Sequence, residues 1–142
     1  MTLVDVNVLV YAHRRDAPRH EECRRWLEAR LRGSEPFGVN DQVLSGVLRV
    51  VTHPRVFDPP SPLEKAVAFV EEIRGHPSRV PVAPGPRHWE VLLHLCREAG
   101  ATGNLVPDAY FAALAIESGC EWITTDRDYS RFKGLRWRHP AE

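Results

Sequence analysis

Two periods of apolar residues alternate along this chain. Residues 3–9, LVDVNVL, form a β-branched run broken only by Asp5 and Asn7, and such continuous hydrophobicity predicts a central parallel strand. From Asp16, an N-cap with Pro18 in the first turn behind it, Cys23, Trp26, Leu27 and Leu31 recur at helical spacing as far as Gly33. Residues 36–39 read as a second short strand. Asn40 or Asp41, with Asp41 the simpler choice, then caps a helix carrying Val43, Leu44, Val47, Leu48 and Val51. A loop over residues 52–62 holds four of the 12 prolines and closes on Ser61-Pro62-Leu63-Glu64, a capping-box signature opening a helix through Val67, Phe69, Val70 and Ile73 to Gly75. Val80-Pro81-Val82 fits an edge strand, where proline is tolerated. After Pro86 a helix directs Trp89, Leu92, Leu93 and Cys96 inward and stops at Gly100. Asn104 caps an almost wholly apolar helix with Pro107 in its first turn and Gly119 at its end, followed by short strands at 122–124 and 135–137.

Strands alternating with helices predict a layered α/β domain with a mainly parallel sheet and right-handed crossovers, a single domain spanning residues 1–142. Loops at the carboxyl ends of strands are where such sheets hold their sites. Asp126 and Asp128 lie just past the strand at 122–124, and Asp108 sits in the first turn of the apolar helix. An aspartate embedded in an apolar run is costly unless it caps, pairs or binds a metal. Asp5 therefore either caps the turn leaving its strand or belongs to a site, with Asn7 placed to steer the turn or orient the carboxylate. Asp126 and Asp128 are either turn formers or partners of Asp5 and Asp108.

Composition narrows the function classes. Hydrophobic residues make up 43% and charged residues 27% of the 142, an ordinary globular balance. No apolar stretch approaches the length of a membrane span and no basic-then-apolar leader begins the chain, so the cytoplasm is the expected location. The 19 basic and 19 acidic residues cancel, which argues against a broad electrostatic grip on nucleic acid while leaving room for an enzyme acting on one. The basic set Arg127, Arg131, Lys133, Arg136 and Arg138 either contacts phosphates or forms a solvated face. Cys23, Cys96 and Cys120 are widely spaced in apolar contexts and read as reduced core residues, and none of the seven histidines is paired at metal-ligand spacing.

Carboxylates crowded into one pocket require a cation to stay ionised together, and all-oxygen donors select Mg²⁺, with Mn²⁺ able to substitute. Such ions lower the pKa of water and polarise a phosphodiester, so the chemistry implied is metal-assisted hydrolysis of a phosphate ester. An aspartyl phosphatase also starts with an aspartate after a hydrophobic strand. It wants a second acid where Asn7 stands and a later lysine, and the lysines here are Lys65 and Lys133.

The motifs Leu3-Val4-Asp5-Val6-Asn7-Val8-Leu9, Pro107-Asp108 and Trp122-Ile123-Thr124-Thr125-Asp126-Arg127-Asp128-Tyr129 resemble those of PIN-domain nucleases, and most closely the VapC-type toxins of toxin–antitoxin modules. Thr52-His53-Pro54-Arg55-Val56-Phe57, Gly85-Pro86-Arg87-His88-Trp89 and Gly100-Ala101-Thr102-Gly103-Asn104 extend the likeness over nearly the whole chain. The resemblance implies a three-layer fold with a short central sheet flanked by helices. It implies Mg²⁺-dependent endoribonuclease activity on tRNA or another RNA. Asp5, Asp108 and Asp126 would be the metal ligands, Asp128 a further ligand or a catalytic acid behind them, and Asn7 and Thr124 their hydrogen-bonding supports. A VapB-like antitoxin and a homodimer are the expected partners.

One departure stands out. Many relatives carry a glutamate near the position of Gly46 and Val47, where this chain has no acid. Either the site works with fewer ligands, with Asp128 compensating, or the chain is a catalytically weakened module acting through antitoxin or RNA binding.

Overall fold

The computed structural model describes all 142 residues. Five strands, β1 Thr2–Val4, β2 Phe37–Val39, β3 Arg79–Pro81, β4 Glu121–Ile123 and β5 Trp137–Arg138, form one sheet in the order β3-β2-β1-β4-β5. Every pairing is parallel, with Leu3 opposite Gly38 on one side and Trp122 on the other. Six helices connect them: α1 Val6–His13, α2 His20–Arg32, α3 Asp41–Val51, α4 Leu63–Arg74, α5 His88–Ala99 and α6 Leu105–Ser118. Chain order runs outward through β1, β2 and β3, then returns to the other side of β1. Right-handed crossovers of that course place α1–α4 on one face and α5–α6 on the other, and the packing of α1 on α2 and α3, α3 on α4, and α5 on α6 agrees. The reversal falls between β1 and β4, the position where doubly wound sheets open a crevice.

The first strand is shorter than its hydrophobicity predicts. Asp5 takes an extended backbone (φ −77°, ψ 157°) and accepts the Val6 N–H on Oδ1 at 2.7 Å, so the apolar run bends into α1 after Val4. Hydrophobic continuity does not distinguish a buried strand from a buried helix, and here the cap decides. Other caps also move. Asn40, not Asp41, caps α3 by accepting the Val43 N–H at 3.1 Å, while Asp41 faces solvent and pairs with Arg74 at 2.8 Å. Asp16 is engaged by Arg14 at 2.7 Å and caps nothing, so α2 begins only at His20. The capping box at Ser61 does not form. Pro62 occupies the cap position, and the Ser61 hydroxyl lies 2.9 Å from His13 Nε2. Asn104 is itself helical and makes no side-chain cap, whereas Gly119 ends α6 in the left-handed conformation at φ 70°, as the sequence predicts.

Both faces of the sheet are covered by small and branched side chains. On α6, Ala109, Ala112, Ala113, Leu114 and Ala115 are all inaccessible, so alanine lets the helix approach closely. The Trp122 ring stacks on Phe111 with centroids 5.5 Å apart. Trp26 is buried on α2, but Trp89, expected to face inward, is 67% exposed at the start of α5, where Leu92 and Leu95 form the buried stripe. Because Leu114 is fully enclosed, Leu114→Ala is expected to destabilise the fold by about 2–5 kcal/mol, read as a lower urea midpoint with an unchanged slope.

Candidate active site

The β1–β4 pairing sets the geometry of the acidic edge. Val4 lies opposite Ile123, and the Asp5 N–H donates to the Ile123 carbonyl at 2.9 Å, so Asp5 and Thr124 leave the sheet side by side. The Thr124 hydroxyl donates to Asp5 Oδ2 at 2.7 Å and accepts the Asp126 N–H at 3.0 Å. Asn7, in the first turn of α1, donates through Nδ2 to Asp5 Oδ2 at 3.0 Å and accepts the Thr125 N–H on Oδ1 at 3.1 Å. Asp5 is thus both the cap of α1 and the centre of a buried network, and is itself 6% exposed. The two sequence readings of this residue are one arrangement.

Asp126 Oδ1 accepts the Asp128 N–H at 2.9 Å and opens a 3-10 turn over Arg127–Arg131. That turn buries Tyr129, whose hydroxyl points to Asp108 Oδ1 at 3.4 Å from the first turn of α6. Asp5, Asp108, Asp126 and Asn7 line one cavity of about 300 Å³ together with Val6, Val10, Tyr11, Val50, Val56 and Phe57. Asp128 is exposed and does not line it.

Burial is the main reason the Asp5 carboxyl is pushed up to about 7; the charges of Asp108 and Asp126 add to this, and the Thr124 and Val6 hydrogen bonds oppose it. Asp108 is also held above the ordinary carboxylate range, first by burial, then by Asp126, with Asp128 adding and Tyr129 opposing. Burial raises the Tyr129 phenol, and the charges of Asp5, Asp108 and Asp126 reinforce it.

No lysine or arginine lines the cavity, so the protein supplies no cation against these carboxylates. No three acidic, histidine or cysteine side chains stand at coordinating separation as arranged. The donor set is nonetheless all hard oxygen, crowded and uncompensated, which fits a divalent cation such as Mg²⁺. Helix α3 contributes no acid. Gly46 packs so tightly on α1 that a Cβ there would lie 2.9 Å from Val6 Cγ2, and Val47 is fully buried.

Four of the basic residues near the acids make contacts within the protein, Arg127 and Lys133 as exposed ion pairs. Arg127 reaches Glu142 at 3.5 Å, Lys133 reaches Glu98 at 3.6 Å, Arg138 pairs with Glu121 at 3.0 Å, and Arg136 donates to the Gly119 carbonyl at 2.8 Å. Histidines serve the backbone in the same way: His20, His76 and His88 bond the carbonyls of Tyr11, Leu31 and Tyr110 at 2.8, 2.8 and 2.9 Å. The site also takes in Tyr129 and a wall formed by Val56 and Phe57, residues with no predicted role in the sequence. Tyr129 directly follows the Asp126-Arg127-Asp128 motif, the one signal that pointed to it.

The sequence profile described as the PIN domain matches residues 2–135, and the chain belongs to that family. Within it the chain is a relative of the VapC ribonucleases: it is 44% identical over 140 residues to Ribonuclease VapC25 of Mycobacterium tuberculosis, covering 99% of each chain. Among solved structures the fold matches VapBC2 from Rickettsia felis bound to a promoter DNA fragment, with TM-score 0.70, 15% identity and 97% of each chain covered. It also matches VapC20 of Mycobacterium tuberculosis, described as a sarcin-ricin loop cleaving toxin, with TM-score 0.66, 18% identity and 96% and 99% covered.

The folded chain holds the Asp5 proton more tightly (about 7) than the unfolded chain does (3.8), so between those values the folded state carries more protons. The contribution of Asp5 to the stability of the metal-free protein therefore falls as pH rises from about 4 to 7, against an opposite contribution from His13, which burial holds below its ordinary value. Across this window the urea midpoint of the native chain is expected to fall relative to that of Asp5→Asn, which lacks the Asp5 contribution.

Proposed function

We propose that the chain is the toxin of a VapBC-type module and cuts RNA phosphodiesters as a Mg²⁺-dependent endoribonuclease. The observation that carries this is the shared cavity of Asp5, Asp108 and Asp126, in which burial and the charges of Asp108 and Asp126 raise the proton affinity of Asp5 and no lysine or arginine lines the wall. Those three residues would hold the metal. When bound, the ion supplies charge neutralisation at the phosphodiester and activation of the hydrolytic water.

The chain's own groups provide the rest. Thr124 and Asn7 both donate to Asp5 Oδ2, fixing that oxygen before substrate arrives. The Val6 N–H fixes Oδ1, and the Asp128 N–H fixes one oxygen of Asp126. Preset donors of this kind save reorganisation at the moment of reaction. Asp128 stands exposed outside the cavity lining, and its charge adds to the negative field at Asp108. RNA as substrate is supported by 44% identity to a protein named a ribonuclease. A VapB-like antitoxin as partner is supported by the likeness to a VapC fold solved in a VapBC assembly. A homodimer is the oligomer this reading carries.

A second reading is favoured by one feature. Gly46 and Val47 give the site no acid from α3, as in a module that binds antitoxin or RNA but cleaves poorly. Cleavage of total RNA and tRNA by antitoxin-free protein separates the two. Cutting is expected with Mg²⁺ or Mn²⁺, none with chelator, and a loss of about a hundredfold or more in Asp5→Asn and in Asp108→Asn, each checked for folding by circular dichroism. Absence of both cleavage and Mn²⁺ binding selects the weakened module, metal binding without cleavage of these RNAs selects a nuclease of narrow target, and cleavage unaffected by either substitution refutes the site.

A further inference from the structure

The cavity that holds the acids has an apolar side that hydrolysis does not require. Beside the carboxylates its lining includes Tyr11, Val56 and Phe57, and Val56 is 54% exposed. Val56 and Phe57 lie on the loop between α3 and α4, which the fold anchors firmly. Their N–H groups both donate to the His53 carbonyl, at 3.0 and 3.1 Å, and the Ser61 N–H donates to the Val51 carbonyl at 2.8 Å.

Arg14, at the C-terminal end of α1, is the main staple. Its Nη2 donates to the Pro59 carbonyl at 3.0 Å and its Nη1 to the Ser61 hydroxyl at 3.2 Å, while its Cζ lies 4.3 Å from the Phe57 ring centroid. Asp16 holds the other edge of the guanidinium at 2.7 and 2.9 Å. Helix α1 therefore carries the acid Asp5 at one end and, at the other, the residue that fixes the apolar wall.

A phosphodiester held at the carboxylates places the adjoining base within one nucleotide of this wall, inside the same cavity of about 300 Å³. A base has two apolar faces, which a duplex covers with neighbouring pairs; only an unpaired base can turn out to lie against aromatic and aliphatic side chains. We propose that Tyr11, Val56 and Phe57 form a base subsite for an unpaired, unstacked nucleobase next to the scissile phosphate, with Arg14 as its positioning residue. The inference rests on the RNA-cleaving reading above. It makes single-stranded segments the substrate and makes the wall, rather than the acids, the source of sequence preference.

The test compares oligoribonucleotides that differ only by one abasic nucleotide placed at successive positions. Removal of the base beside the cut is expected to lower kcat/KM of the native chain by about tenfold or more, and removal of a distant base to change it little. Phe57→Leu and Tyr11→Leu keep apolar volume without the aromatic face, and are expected to shrink that ratio toward unity. Arg14→Lys is expected to shrink the same ratio, whereas a loss of folding alone slows every substrate equally and leaves the ratio unchanged. A parallel binding measurement by fluorescence anisotropy uses the Asp108→Asn background with chelator present, where cutting is expected to be absent over the measurement. There the intact oligonucleotide is expected to bind at least about tenfold tighter than the abasic one, with the difference lost on adding Phe57→Leu. Equal discrimination with and without Phe57, or no discrimination in the native chain, overturns the subsite. Absence of cleavage by the native chain overturns the ribonuclease reading instead, and the binding ratio still decides the subsite.

Discussion

The acidic edge depends on one buried hydrogen bond, the 2.7 Å contact from the Thr124 hydroxyl to Asp5 Oδ2. It joins residues 119 positions apart and exists because β1 and β4 are parallel neighbours in register, Val4 opposite Ile123. From that contact the rest follows in order. Thr124 accepts the Asp126 N–H, Asn7 bridges Asp5 and Thr125, and the 3-10 turn after Asp126 carries Tyr129 beneath Asp108. A parallel sheet that reverses direction beside its first strand produces this crevice as a matter of topology. The side chains only occupy it.

The same contact creates an electrostatic conflict. Asp5 is nearly inaccessible and is pushed up to about 7, and Asp108 is raised alongside it, in a cavity with no lysine or arginine. A fold under selection for stability alone would place apolar residues there. Retaining the conflict makes sense when a cation resolves it and then attracts a phosphodiester, the basis of the proposed hydrolysis. The apolar wall on the loop between α3 and α4 complements it, since charge binds the backbone of an RNA and an apolar surface receives a base. Formal neutrality of the chain fits an enzyme that holds its substrate at one cleft.

The alternation of strands and helices, the parallel sheet with a proline-bearing edge and the end of α6 at Gly119 were legible in the sequence, because they depend on period, backbone chemistry and topology. So was the gathering of Asp5, Asp108 and Asp126 in one cavity, since strand ends converge in such sheets. What escaped depended on competition between neighbours. The run at residues 3–9 divides into strand and helix because Asp5 caps its own successor, which hydrophobicity does not encode. Asp16 and Ser61 are good caps that lose their side chains to Arg14 and His13, partners 2 and 48 positions away. Trp89 points to solvent although its spacing matches the buried stripe of α5, because one helix carries more apolar residues than its buried face accepts. The wall of Val56 and Phe57 lies in a loop, where no period marks it.

The most direct test of this account is a carbon-detected NMR titration of the aspartate side-chain carboxyls, first free of divalent ions and then with saturating Mg²⁺. The account predicts that Asp5 titrates near 7 without metal and shifts well downward when Mg²⁺ binds, with Asp108 moving in the same direction. An Asp5 that titrates near its ordinary 3.8 and ignores Mg²⁺ would contradict both the buried network and the metal site built on it.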